Sequence, residues 1–169
     1  MLEKTTLMKY AAALIARRAH SRGELRGKLA AHKAEKAKEI KEIENIEEIE
    51  TVLDRLEHLN LLNDAEYAYN FTFYRIKESG WGEEKVRKAL QDKDVASDVA
   101  NQAIVRVIEE IAQDGADDAL MEYVSGYCRK HGTPSTLKDA QKLARHLAGR
   151  GFDEDRIIGA VARIFPDAS

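Results

Sequence analysis

Apolar positions recur every three or four residues along almost the whole chain. Ile46, Ile49, Val52, Leu53, Leu56 and Leu59 fall on one face of a helix, and Val95, Val99, Ala103, Val107 and Ile111 mark another. Two prolines and ten glycines leave long stretches without a breaker, so helix is predicted nearly everywhere. The breaks have their own chemistry. His20-Ser21, Ser79-Gly80-Trp81-Gly82 and Gly149-Arg150-Gly151-Phe152-Asp153 each end one helix and open the next. Gly80 and Gly151 suit the left-handed residue that stops a helix, Ser21 and Asp153 suit N-caps, and Trp81 and Phe152 can pack back on the helix before them. Asn60 is a further stop, and Asn63 or Asp64 caps the next helix.

These elements repeat. Ser21–Leu29 aligns with Gly82–Leu90 at an offset of 61, pairing Leu25 with Val86, Arg26 with Arg87 and Leu29 with Leu90. A further offset of 71 pairs Val86 with Ile157, Leu90 with Val161, Trp81 with Phe152 and Gly80 with Gly151. The pattern predicts an all-α chain of tandem three-helix repeats: three units and about nine helices in an elongated, curved array. The expected units are 1–62, 63–113 and 114–169, the third with its extra helix in front, around Ala119-Leu120 to Tyr127. No unit has enough core to stand alone, so the units are expected to stack. Between Leu29 and Ile46 the chain reads AAHKAEKAKEIKEIENI, a charged insertion at about 30–45. It fits an extension of helix two or three, or a charged loop.

One segment is dense in aromatics: Tyr67, Tyr69, Phe71, Phe73 and Tyr74, with Arg75, Lys77 and Trp81. Two helical faces carry rings, which is more than one buried stripe requires. One reading makes Tyr69, Phe73 and Ile76 core and packs the remaining rings on neighbouring units. The other leaves an aromatic and Arg75 patch for a partner, with base stacking as its weaker form.

Charge narrows the function. The 169 residues carry 27 basic and 30 acidic side chains, for a net charge of −3. Residues 1–32 hold seven basic against two acidic, whereas 94–132 hold three against eight. A protein whose whole task is gripping phosphates is more clearly basic, so the alternating sign suits a patterned protein partner at least as well. No apolar run approaches the roughly 20 residues of a membrane span, AAALIA is short for a secretory signal, and the single cysteine, Cys128, fits a reducing cytoplasm. A cytoplasmic location is expected.

Catalytic patterns are missing. The five histidines show no metal-type spacing with one another or with Cys128, no phosphate loop is present, and Ser125 and Cys128 lack the setting of an activated nucleophile. Glu47-Glu48 and Asp117-Asp118 read as solvated faces. No enzyme, cofactor, metal or small-molecule substrate is expected.

Four stretches resemble the RecX family of bacterial recombination regulators, in order and over nearly the whole chain. They are SRGELRGKL (21–29), NLLNDAEYAYNF (60–71), GWGEEKVRKAL (80–90) and LAGRGFDEDRI (147–157). Asn60 stands where the family has glycine, and the 30–45 insertion replaces a short turn. The resemblance implies an elongated array of three-helix repeats that binds the RecA–single-stranded DNA filament and inhibits its ATPase and strand exchange. It also implies regulation of recombination, repair and the SOS response without a catalytic centre.

The remaining constellation is basic: Arg17, Arg18, Arg22, Arg26 and Lys28 in the first unit, Arg75, Lys85, Arg87 and Lys88 in the second, and Arg145, Arg150 and Arg156 in the third. Solubility alone explains such a set. The functional reading takes all of these but Arg17 as one discontinuous face for a recombinase filament, with weak direct DNA contact as a secondary expectation. Two rival readings remain open: a helix–turn–helix nucleic-acid module and a generic helical interaction scaffold.

Overall fold

The computed structural model describes residues 2–40, 46–113 and 119–166. Among these residues the chain is all-α: α1 (Leu2–Ile15), α2 (Arg22–Ile40), α3 (Ile46–His58), α4 (Asp64–Phe73), α5 (Glu83–Gln91), α6 (Ser97–Gln113), α7 (Ala119–His131), α8 (Leu137–Arg150) and α9 (Glu154–Ile164). Expected helix ends are present. Asn63 caps α4 by accepting from the Glu66 amide, and Asp153 caps α9 by accepting from Arg156. Ser21 accepts from the Glu24 amide at the start of α2. Asn60, Gly80 and Gly151 take positive φ of 53°, 60° and 86°. The first part of the insertion extends α2 to Ile40, and its residues 41–45 lie outside those described.

Three separate apolar clusters form, one within each run of three helices. Leu7, Ala11, Leu25, Leu29, Ile49, Val52, Leu53 and Leu56 fill the first. Tyr67, Ile76, Val86, Leu90, Ile104 and Val107 lie in the second, and Leu120, Val124, Leu143, Leu147, Ile157 and Val161 in the third. The middle helix of each run contributes a pair four residues apart, Leu25/Leu29, Val86/Leu90 and Leu143/Leu147, all with 0% exposure. Truncating any one to alanine removes roughly 2–5 kcal/mol. Leu59, expected on the apolar face of α3, is instead 47% exposed, because the helix ends at His58 and the chain turns at Asn60.

The third unit stands in a register different from the one its sequence suggests. Leu143 and Leu147 of α8, not Ile157 and Val161 of α9, occupy the place of Val86 and Leu90, which makes the offset 57 rather than 71. The turns confirm it. After α5 the Val95 amide donates to the Leu90 carbonyl at 3.1 Å around left-handed Asp94, and after α8 the Phe152 amide donates to Leu147 at 3.4 Å around left-handed Gly151. Both are the six-to-one bond of a Schellman helix end, with a buried apolar residue directly after it. Gly80-Trp81 and Gly151-Phe152 look alike because both stop a helix, but they lie at different joints of the unit.

That register exposes a repeated docking joint. The start of α2 rests on the α5–α6 turn, where the Ser21 hydroxyl donates to the Lys93 carbonyl at 2.5 Å, and on the start of α4, where the Arg22 amide donates to Asp64 at 2.6 Å. One unit on, the start of α5 rests on the α8–α9 turn, where the Gly82 amide donates to the Arg150 carbonyl at 2.9 Å and Glu84 donates to Gly151 at 3.1 Å. The backbones lie so close that a Cβ on Gly82 would stand 2.2 Å from the Gly151 carbonyl carbon. Beside this second seam lies a partly open cavity of about 190 Å³, lined by Ile76, Trp81, Ile111 and Phe152 with Glu83 and Arg156.

Candidate partner-binding face

The eleven cations expected to meet a partner fall into two groups by what holds them. Arg18, Arg22, Arg26, Arg87 and Arg156 are bound to carboxylates of the chain itself. Arg22 is the hub: it reaches Glu50 and Asp54 at 2.7 Å and Glu57 at 2.6 Å with only 21% of its side chain exposed. Burial works against its charge, yet the bonds it donates to Asp54, Glu57 and Glu50 outweigh this and raise its proton affinity above the ordinary guanidinium value. Arg26 joins Glu50 at 2.7 Å and Asp94 across the seam at 3.4 Å. The hydrogen bond from Arg26, with that from Arg22, pulls the Glu50 carboxyl below its usual range. Arg18 is paired with Glu24, Arg87 with Glu84 and Asn101, and Arg156 with Glu83 across the second seam.

The second group keeps its charge unneutralised. Arg75 lies over Trp81 at 4.4 Å, Phe71 at 5.1 Å and Tyr74 at 5.8 Å. Lys85 lies over the same Trp81 ring at 4.6 Å. Arg150 sits over Tyr123 at 5.1 Å and donates to the Ser79 carbonyl at 3.0 Å. Lys28, Lys88 and Arg145 have no carboxylate within salt-bridge distance among the described residues, although Arg145 reaches the Gln141 carbonyl. The set is therefore not one continuous basic stripe. It is a few open cations between stretches already satisfied. Lys138 and Lys142, exposed on α8 one turn apart and in line with Arg145, belong with them. Their spacing of four and three is legible in the sequence, but no motif there singles them out.

In the aromatic segment Ile76 is core and Tyr69 and Phe73 pack against that core, close to the first reading, while exposed Tyr74 lies beside Arg75 as the second has it. Tyr67, Ala68, Thr72 and Ile76 are the buried residues, while Tyr69 and Phe73 are only partly covered. Ala68, Thr72 and Ile76 follow one another at four-residue spacing on the inner face, and a π-helical turn runs over Tyr74–Glu78. Ile76 is inward and Tyr74 is 58% exposed.

Among the described residues no group of three metal-ligating side chains is close enough to hold an ion, and no helix is long and apolar enough to cross a membrane. Tyr127 packs against His131 and His146, and Tyr123 bonds His146 at 2.8 Å. Burial first, then Arg150 and His131, holds the His146 imidazole below its ordinary pKa.

Sequence comparison matches residues 63–104, from the cap of α4 into α6, to the family model for the second three-helix domain of RecX. Over this stretch the chain is similar to the RecX family. It is 31% identical over 94 residues to the "Regulatory protein RecX" of Lactococcus lactis subsp. cremoris strain SK11, and 30% identical over 94 to that of strain MG1363. Each alignment takes in 55% of this chain and 34% of the relative, so the match spans about a third of the length of those curated relatives. The fold extends further. The crystal structure of RecX from Lactobacillus salivarius superposes with a TM-score of 0.76 at 16% identity, over 97% of this chain and 98% of that one. A second crystal structure, of regulatory protein RecX, gives 0.68 at 17% identity, over 97% and 73%. The all-α array is thus the RecX fold.

Proposed function

We infer that this protein binds the RecA–single-stranded DNA filament and restrains it, lowering its ATPase and strand exchange, and so regulates recombination and DNA repair in the cytoplasm. Similarity to the RecX family, in the matched second three-helix domain and in the curated relatives, is the observation that carries this reading. The architecture supports it. Units joined through the same joint present their open cations (Lys28, Lys88 and Arg145, one from each unit) at separated points along one body, a form suited to touching neighbouring subunits of a filament. Several weak contacts made together gain affinity through effective concentration when their spacing fits the partner. No covalent step is required, and the protein acts as a regulator rather than a catalyst.

The test is ATP hydrolysis and strand exchange by RecA on single-stranded DNA with this protein added. Both rates are expected to fall as it is titrated in. Unchanged rates at saturating concentration overturn the reading.

A further inference from the structure

We propose that the cavity at the second seam binds a compact, uncharged aromatic molecule, which wedges the second and third units at a fixed angle. Its occupancy is measured without RecA, so the site stands or falls separately from filament regulation.

The first observation is size and place. The cavity holds about 190 Å³. An engineered apolar cavity of about 150 Å³ takes up benzene, so this one has room for a substituted ring. Its walls come from two units: Ile76, Trp81 and Ile111 from the second, Ala119 and Phe152 from the third. Unfilled space between such walls forfeits dispersion contacts that a guest restores. A guest that fills it touches both units at once.

The second is the chemistry of the walls. Two ionisable side chains reach the cavity, Glu83 and Arg156, and they are bound to each other across the seam. The Gly82 amide, also at the wall, donates to the Arg150 carbonyl. The polar groups here are thus committed to joining the units. A charged guest would break the Glu83–Arg156 pair or enter apolar walls without a counter-ion, and burial penalises both. Water gains little, because a buried molecule needs roughly two to four polar partners. The guest that fits is apolar and uncharged. Trp81 and Phe152 give it aromatic neighbours, which favour another ring over an alkane of similar size.

The third is access. Ala112 at the cavity edge is exposed, and the Arg156 and Glu83 side chains keep 32% and 28% of their surface. A single ring can therefore enter without the units coming apart.

Trp81 is the chain's single tryptophan, so its emission reports on the site. Toluene titrated into the full chain is expected to change that emission saturably. It should also raise the melting temperature by about 3 °C at ten times its dissociation constant. Benzoate and benzylamine, similar in size but charged, are expected to bind about tenfold more weakly or worse. Ala119→Leu and Ile108→Phe each add volume at a different wall, and toluene affinity is expected to fall about tenfold in either. Circular dichroism establishes folding, and either folded variant decides the point. The proposal is overturned by any of four results: no saturable change in wild type, a melting temperature lowered by toluene, charged analogues binding as tightly, or a folded filled variant binding like wild type.

Discussion

Ser21 and Gly82 hold equivalent places in successive units and grip equivalent carbonyls, Lys93 and Arg150, one through a side-chain hydroxyl and the other through a backbone amide. The two seams are thus one joint built from different atoms. The first relies on polar side chains, while the second brings main chain to main chain and has apolar walls beside it. That difference sets how each seam responds to substitution.

Ser21 has 0% exposure and two tasks, receiving the Glu24 amide and donating to Lys93. Ser21→Ala strips the cap from α2 and leaves a carbonyl without its donor. The expected loss is about 2 kcal/mol, read by urea unfolding at unchanged slope.

Gly151 and Gly159 form a natural pair of opposites. Gly151 takes φ of 86° and its added Cβ would run into Lys85, so Gly151→Ala is expected to cost more than about 2 kcal/mol. Gly159 lies inside α9 with nothing within 4 Å of an added Cβ, and Gly159→Ala is expected to stabilise by about 0.5–1 kcal/mol. Thermal melts of the two variants should move in opposite directions.

Charge changes should sort by what holds each cation. Replacing Arg22 with Met leaves Asp54 and Glu57 without their counter-ion and Glu50 with Arg26 alone, at an expected cost of about 1–2 kcal/mol. Reversing Lys28, Lys88 and Arg145 together breaks no ion pair among the described residues. That triple variant should keep its helicity and melting temperature while its inhibition of RecA ATPase falls several-fold, a factor that roughly 1 kcal/mol of lost contact supplies. Wild-type inhibition by the folded triple variant would mean that another face meets the filament.

The pH dependence has a definite sign. His20 and His146 are both held below the ordinary imidazole value, chiefly by burial and then by Arg18 and Arg150 respectively. A base with a lowered folded pKa contributes its full stability above the unfolded value of about 6.5 and loses it as pH falls through the folded value. The melting temperature should therefore drop between about pH 7.5 and 5.5, the window around that unfolded value. His146→Phe, which keeps the ring and removes the proton site, should flatten part of that slope.

The sequence by itself determined the helices and where they stop, because caps, left-handed stops and apolar spacing act within a few residues. Asn63, Asp153, Asn60, Gly80 and Gly151 all behave as their types require. Ile49, Val52, Leu53 and Leu56 of α3 and Ala103, Val107 and Ile111 of α6 likewise became core, whereas Leu59 did not. Only the tertiary structure decided which helices are equivalent in the third unit, since two Gly-aromatic stops look the same until a neighbour docks on one of them. It also decided the fate of the arginines. Arg22 and Arg26 have the spacing of an exposed basic stripe, but Glu50, Asp54 and Glu57 sit at matching intervals on α3, and only the packing of α3 beside α2 brings those acids to them. Helix ends are local chemistry, whereas the neutralisation of a charge depends on which surface folding places opposite it.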